Sequence, residues 1–91
     1  MRRVVITGLG IISPIGNDAA EVSDSLRLGR SGIGFEPNYA ENGFRSQVAG
    51  IPKIDLVEAI DRRQLRVLGP TAAYAYLEMQ QAFEDGGLSE D

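Results

Sequence analysis

Residues 3–7 read Arg-Val-Val-Ile-Thr, with apolar side chains on consecutive positions and no alternation. A strand with one wet face alternates, so this run predicts a strand buried on both faces, as inside a parallel sheet. Gly8-Leu9-Gly10 ends it. The following Ile11-Ile12-Ser13-Pro14-Ile15-Gly16-Asn17 is too apolar for a free loop. Pro14 biases Ser13 away from helix, and Gly10 and Gly16 permit turns that other residues resist. Asp18-Ala19-Ala20-Glu21 has capping-box spacing and predicts a helix to about Leu28, with Ala19, Val22 and Leu26 as its apolar stripe. Gly29 stands where a left-handed residue ends a helix. Arg27 and Arg30 fall near the negative end of the helix dipole.

Residues 31–43 hold Gly32, Gly34, Gly43 and Pro37, and predict an irregular stretch pinned by Phe35 and Tyr39. Residues 44–51 predict a short strand centred on Gln47-Val48-Ala49, ended by Pro52. Asp55 is placed to cap a helix over 56–60, and Asp61 opens another over 61–68. Gly69-Pro70 breaks the pattern, and Pro70 suits the first position of a new helix because its missing N–H has no partner there. That helix runs to Asp85 and stops at Gly86-Gly87. Leu88 to Asp91 reads as an acidic end.

The last helix carries Ala72, Tyr76, Met79 and Phe83 on one stripe, widened by Ala73, Ala75, Leu77 and Ala82. Glu78, Gln80, Gln81 and Glu84 are left as its polar remainder. A helix apolar over so much of its circumference is normally enclosed by several neighbours. Two strands do not make an independently stable sheet. The pattern therefore predicts the opening piece of a larger α/β domain; covering by oligomerisation is the other way to bury the same surface.

Ninety-one residues suit one domain at most. The chain has no cysteine and no histidine. That excludes disulfides, thiolate metal sites and a cysteine nucleophile within these residues, along with the commonest general base. No cofactor or metal site is expected. Nine Lys and Arg against thirteen Asp and Glu leave a net charge of −4. Phosphate backbones need concentrated positive charge, so nucleic acid is not an expected partner. No window approaches the roughly 20 apolar residues of a membrane span, and no signal peptide is evident, so the expectation is a cytoplasmic protein without membrane contact.

Thr7-Gly8-Leu9-Gly10-Ile11-Ile12-Ser13 partly matches a dinucleotide-binding loop, but Ser13 replaces the third glycine, Pro14 interrupts, and no acidic residue follows about twenty residues on. The plainer reading is that Gly8, Gly10 and Gly16 shape a packed strand-to-helix loop. Arg62-Arg63-Gln64-Leu65-Arg66 puts three cations within five residues, with Leu65 as anchor. Arg62 and Arg66 are one helical turn apart, as are Arg63 and Arg66. Two readings compete: a solvated face partnered by Asp61 and Glu58, or a docking patch for an acidic protein surface or a phosphate group. Asp18-Glu21, Glu84-Asp85 and Glu90-Asp91 read as caps and solubilising charge. Ser13, Ser31 and Ser46 lack a base and sit in no nucleophile elbow.

Together, the run from Val4 to Asn17 (Val-Val-Ile-Thr-Gly-Leu-Gly-Ile-Ile-Ser-Pro-Ile-Gly-Asn), Leu28-Gly29-Arg30-Ser31-Gly32-Ile33 and Ala82-Phe83-Glu84-Asp85-Gly86-Gly87-Leu88 resemble the opening of the β-ketoacyl-acyl-carrier-protein synthases. Phe44-Arg45-Ser46-Gln47-Val48-Ala49-Gly50 and Ile60-Asp61-Arg62-Arg63 look more like the type I branch; Gly69-Pro70 departs from the usual pattern. The resemblance implies an α/β chain forming the N-terminal portion of a thiolase-like five-layer αβαβα fold, with residues 1–91 an incomplete half of it, usually in a homodimer. It implies a decarboxylating Claisen condensation of malonyl-carrier protein with an acyl thioester in fatty-acid elongation. In the family this rests on a cysteine, two histidines and a lysine; the cysteine–histidine set is absent here, so no catalytic residue is assigned and the segment alone is expected to be inactive. What carries over is docking: Arg62, Arg63 and Arg66 match the basic patch that binds the acidic helix of acyl carrier protein. A non-catalytic chain-length partner subunit of a polyketide system, and a small nucleotide-binding module, are the alternatives.

Overall fold

The computed structural model describes residues 2–88; the acidic end expected at 88–91 falls, from Ser89 on, outside the described residues. Seven elements follow in order: α1 (Ala19–Leu28), β1 (Ile33–Phe35), α2 (Pro37–Glu41), β2 (Val48–Gly50), α3 (Leu56–Ala59), α4 (Arg62–Leu65) and α5 (Pro70–Asp85). Helix and sheet are mixed, and the chain divides into two compact units. One comprises residues 13–53; the other joins residues up to 12 with those from 54 onward.

In the 13–53 unit, α1 begins as its sequence predicts. The Asp18 carboxylate accepts from the Glu21 N–H at 2.9 Å, and the Glu21 carboxylate reaches back to the Asn17 N–H at 2.8 Å. Gly29 closes the helix at φ 69°, a conformation costly for residues with a Cβ, and the Arg30 N–H returns to the Ser25 carbonyl at 2.9 Å. The expected stripe is covered in part, with Ala19 and Val22 half-buried. Leu26 is 70% exposed, and the buried residue of α1 is Ser25, whose hydroxyl donates to the Ile15 carbonyl at 2.6 Å. That bond satisfies a carbonyl of the apolar loop that would be costly to leave unpaired.

Strand β2 lies where expected and pairs antiparallel with β1, Ile33 opposite Gly50 and Phe35 opposite Val48. The expectation of an irregular stretch over 31–43 is corrected, because β1 and α2 both form there. Proline and glycine content hid a helix start: Pro37 sits at the first turn and the Glu36 carboxylate accepts from the Asn38 N–H at 3.2 Å. Phe35 is 63% exposed and pins nothing, whereas Tyr39 meets Phe44 with ring centroids 5.3 Å apart.

In the other unit the core is small. Ile12, Ile60, Ala73 and Leu77 are buried, with Ile54, Leu56, Leu65, Leu68, Tyr74 and Tyr76 packed around them. Helix α3 is capped by Asp55, as expected. Helix α4 ends earlier than the expected 61–68 stretch, which continues as turns to Leu68. Helix α5 matches its predicted bounds, but the covered side is Ala73 and Leu77; Met79 and Phe83 of the expected stripe stay exposed.

The strand expected at residues 3–7 joins no sheet among the described residues, and Val4 and Ile6 are about nine-tenths exposed. A strand exists only against a ladder partner, and none lies beside it here. The chain that follows pairs with side chains of α5 instead. The Leu9 N–H donates to Asp85 Oδ2 at 3.0 Å, the Ile11 N–H to Gln81 Oε1 at 2.9 Å, and the Ile12 N–H to Glu78 Oε1 at 3.3 Å. Residues 78, 81 and 85 share one helix face. Gly8 and Gly10 make this approach feasible. A Cβ at Gly10 would lie 2.7 Å from the Glu78 carbonyl carbon, and one at Gly8 2.8 Å from the Gly86 nitrogen.

Gly10→Ala is therefore expected to lower the stability of the chain by about 1–3 kcal/mol, the usual range for a forced overlap against backbone. Gly34→Ala, where nothing lies within 4 Å, serves as the control and is expected to be neutral or slightly stabilising. Urea denaturation of both variants checks this; equal midpoints would contradict the close approach.

Candidate functional site

The arginine cluster expected from sequence forms on a single short element. Arg62 and Arg63 lie in α4 and Arg66 caps its C-terminus, its N–H donating to the Arg62 carbonyl at 3.2 Å. Asp61 starts the helix, its carboxylate accepting from the Arg63 N–H at 3.0 Å. Leu65 packs against the core of its unit and fixes the turn, as its spacing predicts. The three arginines are exposed.

Neither proposed internal partner answers them. Asp61 is engaged as a cap, and among the described residues the ion pair formed is that of Arg27 with Asp24. Three like charges within about one turn repel one another mildly, and among the described residues no ion pair offsets that repulsion. Guanidinium groups so displayed offer planar forks for carboxylates or phosphates arriving from outside.

The glycine loop takes the plainer of its two readings. The Ala82 and Glu78 carbonyls of α5 lie against Gly8 and Gly10, where a pyrophosphate would need to approach. Carbonyl oxygens repel an anion, so this geometry is opposite to that of a phosphate cradle. Gly16 serves packing too, since a Cβ there would lie 2.6 Å from the Val22 nitrogen. Asp18 and Glu21 act as caps; Ser13 Oγ and Ser31 Oγ accept from the N–H groups of Ile15 and Ile33. Among the described residues, no three metal-ligating side chains come together. Sequence reasoning missed Glu78, Gln81 and Asp85 as backbone acceptors; their shared face was legible, but nothing marked which backbone would reach it.

Comparison with known proteins agrees with the resemblance. The model of the beta-ketoacyl synthase N-terminal domain matches residues 1–91. The chain is 55% identical over 91 residues to 3-oxoacyl-acyl-carrier-protein synthase 1 of Haemophilus influenzae, covering 100% of this chain and 22% of that protein. It is 51% identical over 89 residues to the synthase 1 of Escherichia coli K12, covering 98% and 22%. It is 34% identical over 88 residues to 3-oxoacyl-acyl-carrier-protein synthase 2 of Coxiella burnetii, covering 96% and 21%. The chain thus spans about a fifth of the length of these curated relatives.

Asp61→Ala removes the cap that starts α4 and is expected to cost about 1 kcal/mol, within the usual range for an N-cap. Amide hydrogen exchange at Leu65 and Arg66, whose N–H groups bond back to Asp61 and Arg62, should accelerate by about fivefold. Unchanged exchange would show that the arginine turn does not depend on its cap.

Proposed function

The chain belongs to the β-ketoacyl synthase family, and from that premise we propose that it is the N-terminal segment of a 3-oxoacyl-acyl-carrier-protein synthase of the type I branch. The whole protein would adopt the thiolase-like five-layer fold and act as a cytoplasmic homodimer. It would condense malonyl-carrier protein with an acyl thioester, losing carbon dioxide and extending the chain by two carbons. The reacting cysteine and histidines would lie outside these 91 residues, which contain neither residue type. The exposed Val4, Ile6, Met79 and Phe83 support a larger domain, because apolar surface gains about 25 cal/mol per Å² only when something covers it. Among the described residues, no helix is long and apolar enough to cross a membrane.

The observation that carries the role of this segment is the exposed trio Arg62, Arg63 and Arg66, without a carboxylate partner among the described residues. We assign it to docking of acyl carrier protein. The relatives' names identify carrier-linked substrates, and an acidic carrier complements this patch on a chain that is itself net negative. Arginine forks would steer the encounter and hold the carrier's carboxylates, while the phosphopantetheine arm delivers the acyl group elsewhere.

In the longer protein carrying this segment, Arg63→Glu combined with Arg66→Glu is expected to raise KM for acylated carrier about tenfold at low salt, with kcat held within about twofold. The difference should narrow as salt rises, because exposed charges are screened. An unchanged KM at low salt would contradict the docking assignment.

A further inference from the structure

We propose that the 13–53 unit carries a small-oxyanion site that takes a phosphate group, in a cleft flanked by Arg30 and Lys53. The proposal is independent of the carrier-docking assignment. The cleft has a volume of about 200 Å³, and its lining includes Ser13, Glu21, Arg30, Ser31 and Lys53. That volume is below the roughly 300 Å³ at which pockets begin to enclose drug-sized ligands, so it suits an ion or a head group rather than a nucleotide.

Its walls are built by close approach. A Cβ at Gly32 would lie 2.5 Å from the Pro14 carbonyl oxygen, and one at Gly50 3.1 Å from Pro14 Cγ. These two glycines let the ends of β1 and β2 close on the loop at residues 13–16, which is itself held by the paired backbone bonds of Ser13 and Gly16. Arg30 follows the left-handed Gly29 and its N–H is bonded to the Ser25 carbonyl, and Lys53 follows Pro52 just beyond the end of β2.

The charge favours an anion. Neither Arg30 nor Lys53 forms an ion pair among the described residues. The carboxylate in the lining is Glu21, one oxygen of which already accepts the Asn17 N–H, leaving two cations against one anion. Ser31 Oγ accepts from the Ile33 N–H, which leaves its hydroxyl proton to donate. An oxyanion with several acceptors satisfies a guanidinium, an ammonium and a hydroxyl together.

The test is a titration of the longer protein carrying this segment with inorganic phosphate, followed by amide chemical shifts, against sodium chloride at matched ionic strength. Saturable shifts at Gly16, Ser31 and Gly32 are expected. Arg30→Gln and Lys53→Gln should each weaken binding by about tenfold, as expected for loss of a charge-assisted contact. Both residues are exposed, and among the described residues neither side chain forms an ion pair, so the variants should otherwise keep the parent spectrum. Arg63→Glu with Arg66→Glu should leave these shifts unchanged, which separates this site from the docking patch. Methyl phosphate binding equally would assign the site to phosphate esters, and inorganic phosphate alone to the free ion; either supports the proposal. Shifts that do not saturate, that survive both glutamine variants, or that vanish with the Arg63 and Arg66 variant would overturn it.

Discussion

At Gly8 and Gly10 the main chain runs so close to α5 that no side chain fits between them. This contact organises its unit. Three successive acceptors on one face of the helix, Glu78, Gln81 and Asp85, take the N–H groups of Ile12, Ile11 and Leu9. Backbone donors near an apolar core must find acceptors, and here the helix supplies them from side chains rather than from a neighbouring strand. The same contact delivers Ile12 to the core, where it meets Ile60, Ala73 and Leu77. Ala73 is fully buried, so a larger side chain there would push the packed elements apart.

From that framework follows the display of charge. The core holds Leu65 from one side of α4, and Asp61 fixes the first turn. Arginines at 62, 63 and 66 are then carried on a short, capped element instead of a loose loop, which reduces the entropy lost when a partner binds. A cluster that forms no ion pair among the described residues is mildly unfavourable by itself, and an acidic partner reverses that sign. The same glycine chemistry serves the other unit, where Gly32 and Gly50 bring strand ends against Pro14.

Local chemistry was legible and long-range pairing was not. Asp18, Asp55 and Asp61 cap the helices they were expected to cap, and Pro70 begins the last one, because each signal acts within a few residues. Residues 3–7 carry the composition of a buried strand yet lie unpaired, since a strand is defined by a partner that composition does not name. Ser25 shows the same limit within α1: periodicity marked Ala19, Val22 and Leu26, of which the first two are half-buried, while Leu26 is exposed and Ser25 is buried with its hydroxyl on the Ile15 carbonyl. The arginine cluster was visible as spacing; that it forms no ion pair among the described residues, with Asp61 serving as a cap, took the structure to show.

Along residues 9–12, side chains of α5 stand in for a ladder partner. Residue-resolved amide hydrogen exchange on the unmodified chain tests it most directly. Slowed exchange is expected at Leu9, Ile11 and Ile12, with Val4, Val5 and Ile6 exchanging near the rate of an unstructured peptide. Uniformly fast exchange from residue 4 through residue 12 would contradict it.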